Sequence, residues 1–100
     1  MKIQWTRSAI ADLTSIYEHI ESDSPRYALA VVDRLTKRTA RFTAFPKSGQ
    51  MVPEYQRDEI REVIEYSYRI LYHLGDNTIS IIAVIHGANP LPDSPPSNRG

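Results

Sequence analysis

Cysteine is absent from this 100-residue chain, and so is any excess of charge of one sign. The missing thiols exclude disulfides, thiolate metal sites and cysteine nucleophiles, and they are typical of a reducing cytosol. Lysine plus arginine number 12, as do aspartate plus glutamate. Because a neutral chain has no overall field that recruits nucleic acid, an anionic partner has to be met by local charge.

Long apolar runs are also missing. The first thirteen residues lack the apolar core of a signal peptide, and no run approaches the ~20 residues of a membrane span. These features predict a soluble, cytoplasmic protein with no membrane partner. At this length we expect one domain, since a smaller unit buries too little apolar surface.

Two helices are predicted in the first half of the chain. Thr6 can cap the first helix, which ends near Ser22. Its apolar positions recur every three or four residues and share one face: Ala9, Leu13, Ile16, Tyr17 and Ile20. The other face carries mainly Asp12, Ser15, Glu18 and Glu21. Ser24 followed by Pro25 starts the second helix, whose buried stripe is Ala28, Val31, Val32, Leu35, Thr39 and Phe42. A short link between the two predicts a helical hairpin.

The second half of the chain predicts strands. Residues 59–66 and 68–74 form a hairpin around Tyr66-Ser67, and a turn at 75–77 leads to a strand over 78–86. Residues 2–5 predict an edge strand or a partner of the last strand, and 51–55 a weak edge strand because Pro53 cannot donate to a ladder. The expected fold is α+β, with a helical hairpin on a three- to four-stranded, mainly antiparallel sheet.

The last residues differ from the rest in composition. Four of the seven prolines fall after Gly87. Such a segment cannot continue a sheet and has little apolar surface to offset its ordering entropy. We therefore expect a domain over 1–88 and a flexible, proline-rich tail over 89–100, whose removal leaves the fold nearly unchanged.

Four short motifs occur in a characteristic order. They are W-T-x-x-A-x-x-D-L from Trp5, R-E-V from Arg61, Y-R-I-x-Y-H from Tyr68 and I-H-G from Ile85. Together, over about residues 1–87, they make the chain resemble the ParE and RelE toxin superfamily of type II toxin-antitoxin systems. The resemblance implies a cytoplasmic bacterial toxin that arrests growth, serves plasmid stabilisation and is neutralised by a cognate antitoxin.

The two branches of this superfamily differ in mechanism. In the ribonuclease branch, resemblance implies that an arginine at the position of Arg69 contacts the scissile phosphate, so a nuclease would rest on Arg69, Arg61 and His86. That branch also places a proton donor and acceptor after the last strand, where this chain has Arg99 but no tyrosine, histidine or lysine. The chain therefore resembles the ParE branch, whose members are not enzymes and inhibit DNA gyrase by binding.

Two alternatives stay open beside gyrase inhibition. One is an RNA-cleaving enzyme of the RelE type. The other is a degenerate toxin that only binds its antitoxin, because relatives commonly carry an arginine soon after the His-Gly pair and this chain has Ala88-Asn89-Pro90.

The candidate site residues fall into two sets. A target-binding set comprises Arg61, Arg69, His73 and His86, and an antitoxin-binding set over the helical hairpin and adjoining sheet edge comprises Tyr17, Ile20, Tyr27 and Val31. Whether Arg61 and Arg69 share a face depends on the hairpin register, and Arg69 could instead form a structural ion pair with Glu62 or Glu65. No cofactor, metal site or sequence-specific DNA binding is expected, because the histidine spacing matches no ligand pattern.

Overall fold

The computed structural model describes residues 1–99. Its two helices are α1 (Arg7–Glu21) and α2 (Pro25–Ala40), and a single 3₁₀ turn (Arg41–Thr43) follows α2. Both predicted caps are confirmed: the Thr6 hydroxyl accepts from the Ala9 N–H at 3.1 Å, and the Ser24 hydroxyl accepts from the Tyr27 N–H at 3.2 Å. Each cap satisfies a backbone donor that the first helical turn leaves unpaired.

The sheet has five strands rather than the three to four expected. They are β1 (Lys2–Trp5), β2 (Gln50–Met51), β3 (Ile60–Glu65), β4 (Tyr68–Leu74) and β5 (Thr78–His86). Their order is β1-β5-β4-β3-β2, with β1 parallel to β5 and the other pairs antiparallel. The count rises because the predicted N-terminal strand and the weak strand near Pro53 both join the sheet, as its two edges. β2 stops after two residues, just before Pro53.

The register of the β3–β4 hairpin settles which side chains share a face. Glu65 pairs with Tyr68 across a two-residue loop, so Arg61 lies opposite Tyr72 and Arg69 lies opposite Ile64. Since cross-strand partners point to the same side of a sheet, Arg61 and Arg69 lie on opposite faces.

A bulge in β5 explains why its apolar residues do not alternate. Leu71 pairs with Ala83 and Tyr72 with Ile81, which leaves Ile82 as an extra residue. Ile81 then packs on the helix side while Ile82 and Ala83 pack on the other. The bulge therefore shifts the alternation of side chains along β5 by one residue.

The face that carries α1 and α2, here called the helix face, holds the main core. Its buried side chains are Ala9, Val31, Leu35, Phe42, Val63, Ile70, Tyr72, Ile79, Ile81 and Val84. Phe42 stacks on Tyr72 at 4.1 Å between ring centroids. Each fully buried aliphatic or aromatic side chain of this kind stabilises the fold by roughly 1.5–3 kcal/mol.

The opposite side of the sheet, here called the second face, carries a smaller core. It consists of Val52, Ile60, Leu71, Ile82 and Ala83. The tail has no helix or strand over 89–99, but Leu91 packs against this core and the Tyr55 hydroxyl donates to the Pro92 carbonyl at 2.8 Å. The flexibility of the tail stays a prediction, whereas its contacts give it a place in the fold that composition did not indicate. No helix within residues 1–99 is long and apolar enough to cross a membrane.

Candidate functional site

The four residues of the target-binding set are divided between the two faces of the sheet. His86 pairs with Tyr68, which packs on the main core, so His86 and Arg61 belong to the helix face. His73 pairs with the second-core residue Ile60, so His73 and Arg69 belong to the second face. The set therefore does not form one cationic surface.

Arg69 is held by two carboxylates. Its Nε and Nη2 donate to Glu62 at 2.6 and 2.9 Å, and its Nη1 and Nη2 donate to Glu54 at 2.7 and 2.8 Å. The side chain of Glu62 is 3% exposed and that of Arg69 is 15% exposed. The ion pair with Glu62 that the sequence allowed is present, and Glu54, which sequence reasoning missed, completes the cluster.

This cluster has a negative formal charge, since two carboxylates surround one guanidinium. The hydrogen bonds from Arg69 lower the pKa of Glu54 to about 2, and those carboxylates in turn raise the pKa of Arg69. All three nitrogens of the guanidinium donate to carboxylates, and such bidentate, charge-assisted pairs are among the strongest polar contacts in proteins. Arg69 is therefore not presented as a cation for an incoming phosphate.

Arg61 is also engaged within the fold. Its Nη1 donates to the Gly49 carbonyl at 2.9 Å, its Nη2 pairs with the Asp58 carboxylate at 2.6 Å, and its Nε donates to the Asp58 carbonyl at 3.1 Å. These contacts tie the chain at 49 and 58 to β3. Arg61 consequently fixes the loop between β2 and β3.

The two histidines of the set occupy different environments. His86 meets Tyr68 edge to face, with 5.6 Å between ring centroids, and its Nδ1 accepts from the Ala88 N–H at 3.1 Å. His73 Nδ1 lies 3.3 Å from the Asn98 Nδ2 of the tail. His73 thus lies beside the end of the tail, whereas His86 lies beside its first residue, since the Asn89 N–H donates to the His86 carbonyl at 2.9 Å.

A cleft of about 410 Å³ separates α1 from the ends of β4 and β5. Its lining includes Asp12, His19, Tyr68 and His86. Asp12, which helical periodicity assigned mainly to the outer face of α1, instead accepts from the Val84 N–H at 2.9 Å. Within residues 1–99, no group of three or more histidine or acidic side chains is placed to hold a metal ion.

The antitoxin-binding set is only partly on the surface. Tyr27 is 54% exposed, whereas Val31 is 1% exposed and belongs to the main core, so Val31 is not available as a surface anchor. Ile20 packs against the same core, and Tyr17 lines a groove of about 220 Å³ between the helices with Leu13, Thr14 and Val32. Leu29, 60% exposed, is an apolar surface residue of α2 that periodicity did not single out.

Comparison with known proteins adds the family to this geometry. The family described as "ParE toxin of type II toxin-antitoxin system, parDE" matches residues 3–91. The chain belongs to this ParE toxin family. This agrees with the superfamily that its motifs indicated.

Relatives carry the names of both branches. The chain is 29% identical over 87 residues to "Toxin RelE2" of Caulobacter vibrioides, covering 87% of this chain and 96% of that protein. A chain of the chromosomal ParDE system from P. aeruginosa has a TM-score of 0.71 and 22% identity, covering 86% of this chain and 95% of that one. A chain of the RelBE2 complex from Mycobacterium tuberculosis has a TM-score of 0.55 and 24% identity, covering 85% and 95%. These structural matches establish the fold, an α+β arrangement of two helices on a sheet.

Proposed function

We propose that this ParE-family toxin arrests growth by binding DNA gyrase rather than by cutting RNA, and that a ParD-like antitoxin neutralises it. The target is taken from the resemblance to the ParE branch. We choose binding over RNA cleavage because the Arg69 guanidinium already pairs with both Glu54 and Glu62.

Cleavage of RNA by attack of a 2′-hydroxyl builds negative charge on a phosphorane, which an uncommitted guanidinium has to stabilise. Here the guanidinium at the matching position already pairs with two carboxylates. A phosphate approaching it meets a site of negative formal charge and would have to displace bidentate pairs.

The histidine that a nuclease would use for proton transfer does not lie beside Arg69 either. His86, the imidazole that a nuclease would use, lies on the helix face, and Arg69 lies on the second face. A general acid has to reach within hydrogen-bonding distance of the atom it protonates. The separation of the two side chains by the sheet supports a toxin that acts by binding.

The antitoxin surface that we propose is the outer side of the helical hairpin. Tyr27, Leu29 and Ile10 are each more than half exposed on the two helices, with Tyr27 and Leu29 on different sides of α2. The groove beside Tyr17 lies between the two helices and suits an amphipathic helix laid along them. The short strand β2 leaves an edge to which an added strand can pair.

The target assignment is tested by adding purified toxin to a gyrase supercoiling assay and, in parallel, to a coupled translation assay with mRNA mapping. We expect loss of supercoiling with intact mRNA. An Arg69→Gln variant that still folds should leave mRNA equally intact. Codon-specific cuts that this variant abolishes would assign the chain to the nuclease branch, and inactivity in both assays with tight antitoxin binding would identify a degenerate toxin.

The antitoxin surface is tested with Tyr27→Asp and Leu29→Asp, each measured by calorimetry against the cognate antitoxin. If they are anchors, each should weaken binding by about 2 kcal/mol or more. Ile64→Asp is a matched control, because Ile64 is 61% exposed but lies on the second face. Loss of affinity in the control alone would move the interface to that face.

A further inference from the structure

Positive charge is concentrated on one face of α2, although the chain as a whole is neutral. Arg34, Lys37 and Arg38 lie close together on α2, and Arg41 follows three residues later, where the 3₁₀ turn continues the helix. We call these four residues the α2 stripe. They line a cleft of about 400 Å³ whose fifth lining residue is Glu65.

Glu65 pairs with Arg34 and Arg38 but leaves their terminal nitrogens available. Its carboxylate lies 3.2 Å from Arg34 Nε and 3.5 Å from Arg38 Nε, so both are met through Nε rather than through their terminal nitrogens. Lys37 pairs with Asp33 at 2.9 Å, a contact between two exposed side chains that is weak in water. Among residues 1–99, Arg41 has no ion-pair partner within 4 Å.

We propose that the α2 stripe binds the phosphate backbone of a nucleic acid, without reading its bases. Seven residues of helix advance about 10 Å, which spans roughly three phosphates of one strand. The lining carries four cations against one carboxylate, and three of the cations are arginines, whose planar forks match phosphate oxygens.

An aromatic ring at one end of the stripe favours nucleic acid over an acidic protein segment. The Arg34 guanidinium carbon lies 5.1 Å from the centroid of the Tyr66 ring, and Tyr66 is 46% exposed at the tip of the β3–β4 hairpin. Grooves that bind single strands combine such cations with exposed aromatic rings on which bases stack.

Basic residues near a helix C-terminus also complement the helix dipole. That effect is confined to the last turn, however, and Arg34 lies well before it. It also does not account for the alignment of all four cations on one cleft. The partial negative charge of the helix end, about half an elementary charge, is smaller than the net positive charge of the lining.

The inference goes beyond the proposed function, because it needs neither gyrase nor an antitoxin. It is tested by fluorescence anisotropy of the full chain with a labelled, mixed-sequence DNA single strand of about 20 nucleotides. With three to four phosphates engaged, the logarithm of the association constant should fall with the logarithm of salt concentration with a slope of about −2 to −3.

Matched variants distinguish binding by the α2 stripe from a general effect of the protein's positive charges. Arg38→Gln with Arg41→Gln should flatten the slope by about 1.4 and weaken binding roughly tenfold or more at low salt. Arg7→Gln with Arg26→Gln removes the same charge from exposed positions elsewhere and should change binding little. Glu65→Gln should tighten binding, since it removes the carboxylate from the cleft.

Three results would overturn the proposal. The first is an equal loss of affinity in both double variants. The second is an unchanged anisotropy at micromolar toxin. The third is more effective competition by polyglutamate than by unlabelled DNA of equal charge, which would assign the stripe to an acidic protein segment.

Discussion

The carboxylate of Asp12 on α1 accepts a hydrogen bond from the backbone N–H of Val84 on β5, at 2.9 Å. The strand β1 pairs with β5 only as far as Ile81, and the Thr6 N–H still reaches the Ile81 carbonyl at 3.1 Å. Beyond that point the edge of β5 has no strand beside it. Asp12 therefore replaces the missing strand and fixes α1 against the sheet.

We expect Asp12→Ala to lower the free energy of unfolding by about 1–3 kcal/mol, because the Val84 N–H then loses its acceptor. Asp12→Asn keeps an acceptor oxygen and should lose less. Chemical denaturation measures both, with Glu18→Ala on the exposed side of α1 as the control. Equal stability of the Asp12→Ala and Glu18→Ala variants would show that the contact contributes nothing.

The same carboxylate gives a pH dependence of known sign. Burial raises the pKa of Asp12 above its usual 3.8, and the Val84 hydrogen bond only partly opposes this. The folded state therefore favours the protonated form. The resulting stabilisation is fully present below 3.8 and is lost as the pH rises through the folded-state pKa. Relative to Asp12→Asn, the wild type should accordingly be most stable in acid.

Removing Arg69 should destabilise the fold even if it changes no activity. Arg69→Ala leaves Glu62 buried without its partner, which costs about 3–5 kcal/mol when a buried pair is broken from one side. Arg69→Ala combined with Glu62→Gln should recover much of that loss, because the uncompensated charge is gone. Urea unfolding of the two variants checks this, and equal losses in both would argue against a structural role for the pair.

Glu54 should make the protein sensitive to acid. Its pKa is lowered to about 2 by hydrogen bonds from Arg69, so its stabilising contribution is present above the usual value of 4.5 and is lost as the pH falls through about 2. The contribution of Glu54 to the free energy of unfolding is small, because its side chain is 44% exposed. In thermal melts, wild type should lose its advantage over Glu54→Gln across this window. A constant difference between the two would mean that another group governs the acid response.

Local signals in the sequence were enough to place both helices and the β3–β4 hairpin. Thr6 and the Ser24-Pro25 pair start the helices as predicted, and the turn at Tyr66-Ser67 joins the strands as predicted. These features depend on residues close together in the chain, so capping and turn chemistry identify them.

The candidate site was less predictable because it depends on contacts between distant residues. Whether Arg61 and Arg69 share a face depends on the register of the β3–β4 hairpin, which the sequence did not fix. The pairing of Arg69 with Glu54 spans a loop. Asp12 reaches a residue 72 positions away. The spacing within a motif marks such a residue but does not tell which distant group it contacts.

The tail makes contacts with the second core that its composition did not indicate. Truncation after Asn89 removes Leu91 from the second core and the Pro92 carbonyl from the Tyr55 hydroxyl. Ordering a segment costs about 1–2 kcal/mol of backbone entropy per residue. Prolines reduce this cost, because their fixed φ leaves less freedom to lose. The prolines that prevent the tail from forming a strand therefore also make it less costly to hold against the sheet.

We accordingly expect truncation to lower the free energy of unfolding by about 1–2 kcal/mol, the scale of one partly buried leucine, and to increase binding of an apolar dye to the second face. Leu91→Ala in the full chain should reproduce most of the loss, and Arg99→Ala, at an exposed position, should not. Denaturant titration of the truncated chain and of the two point variants, beside wild type, measures these free energies of unfolding. Unfolding curves that coincide for truncated and full-length chains would mean that the tail is the flexible appendage its composition predicts, with the second core stable on its own.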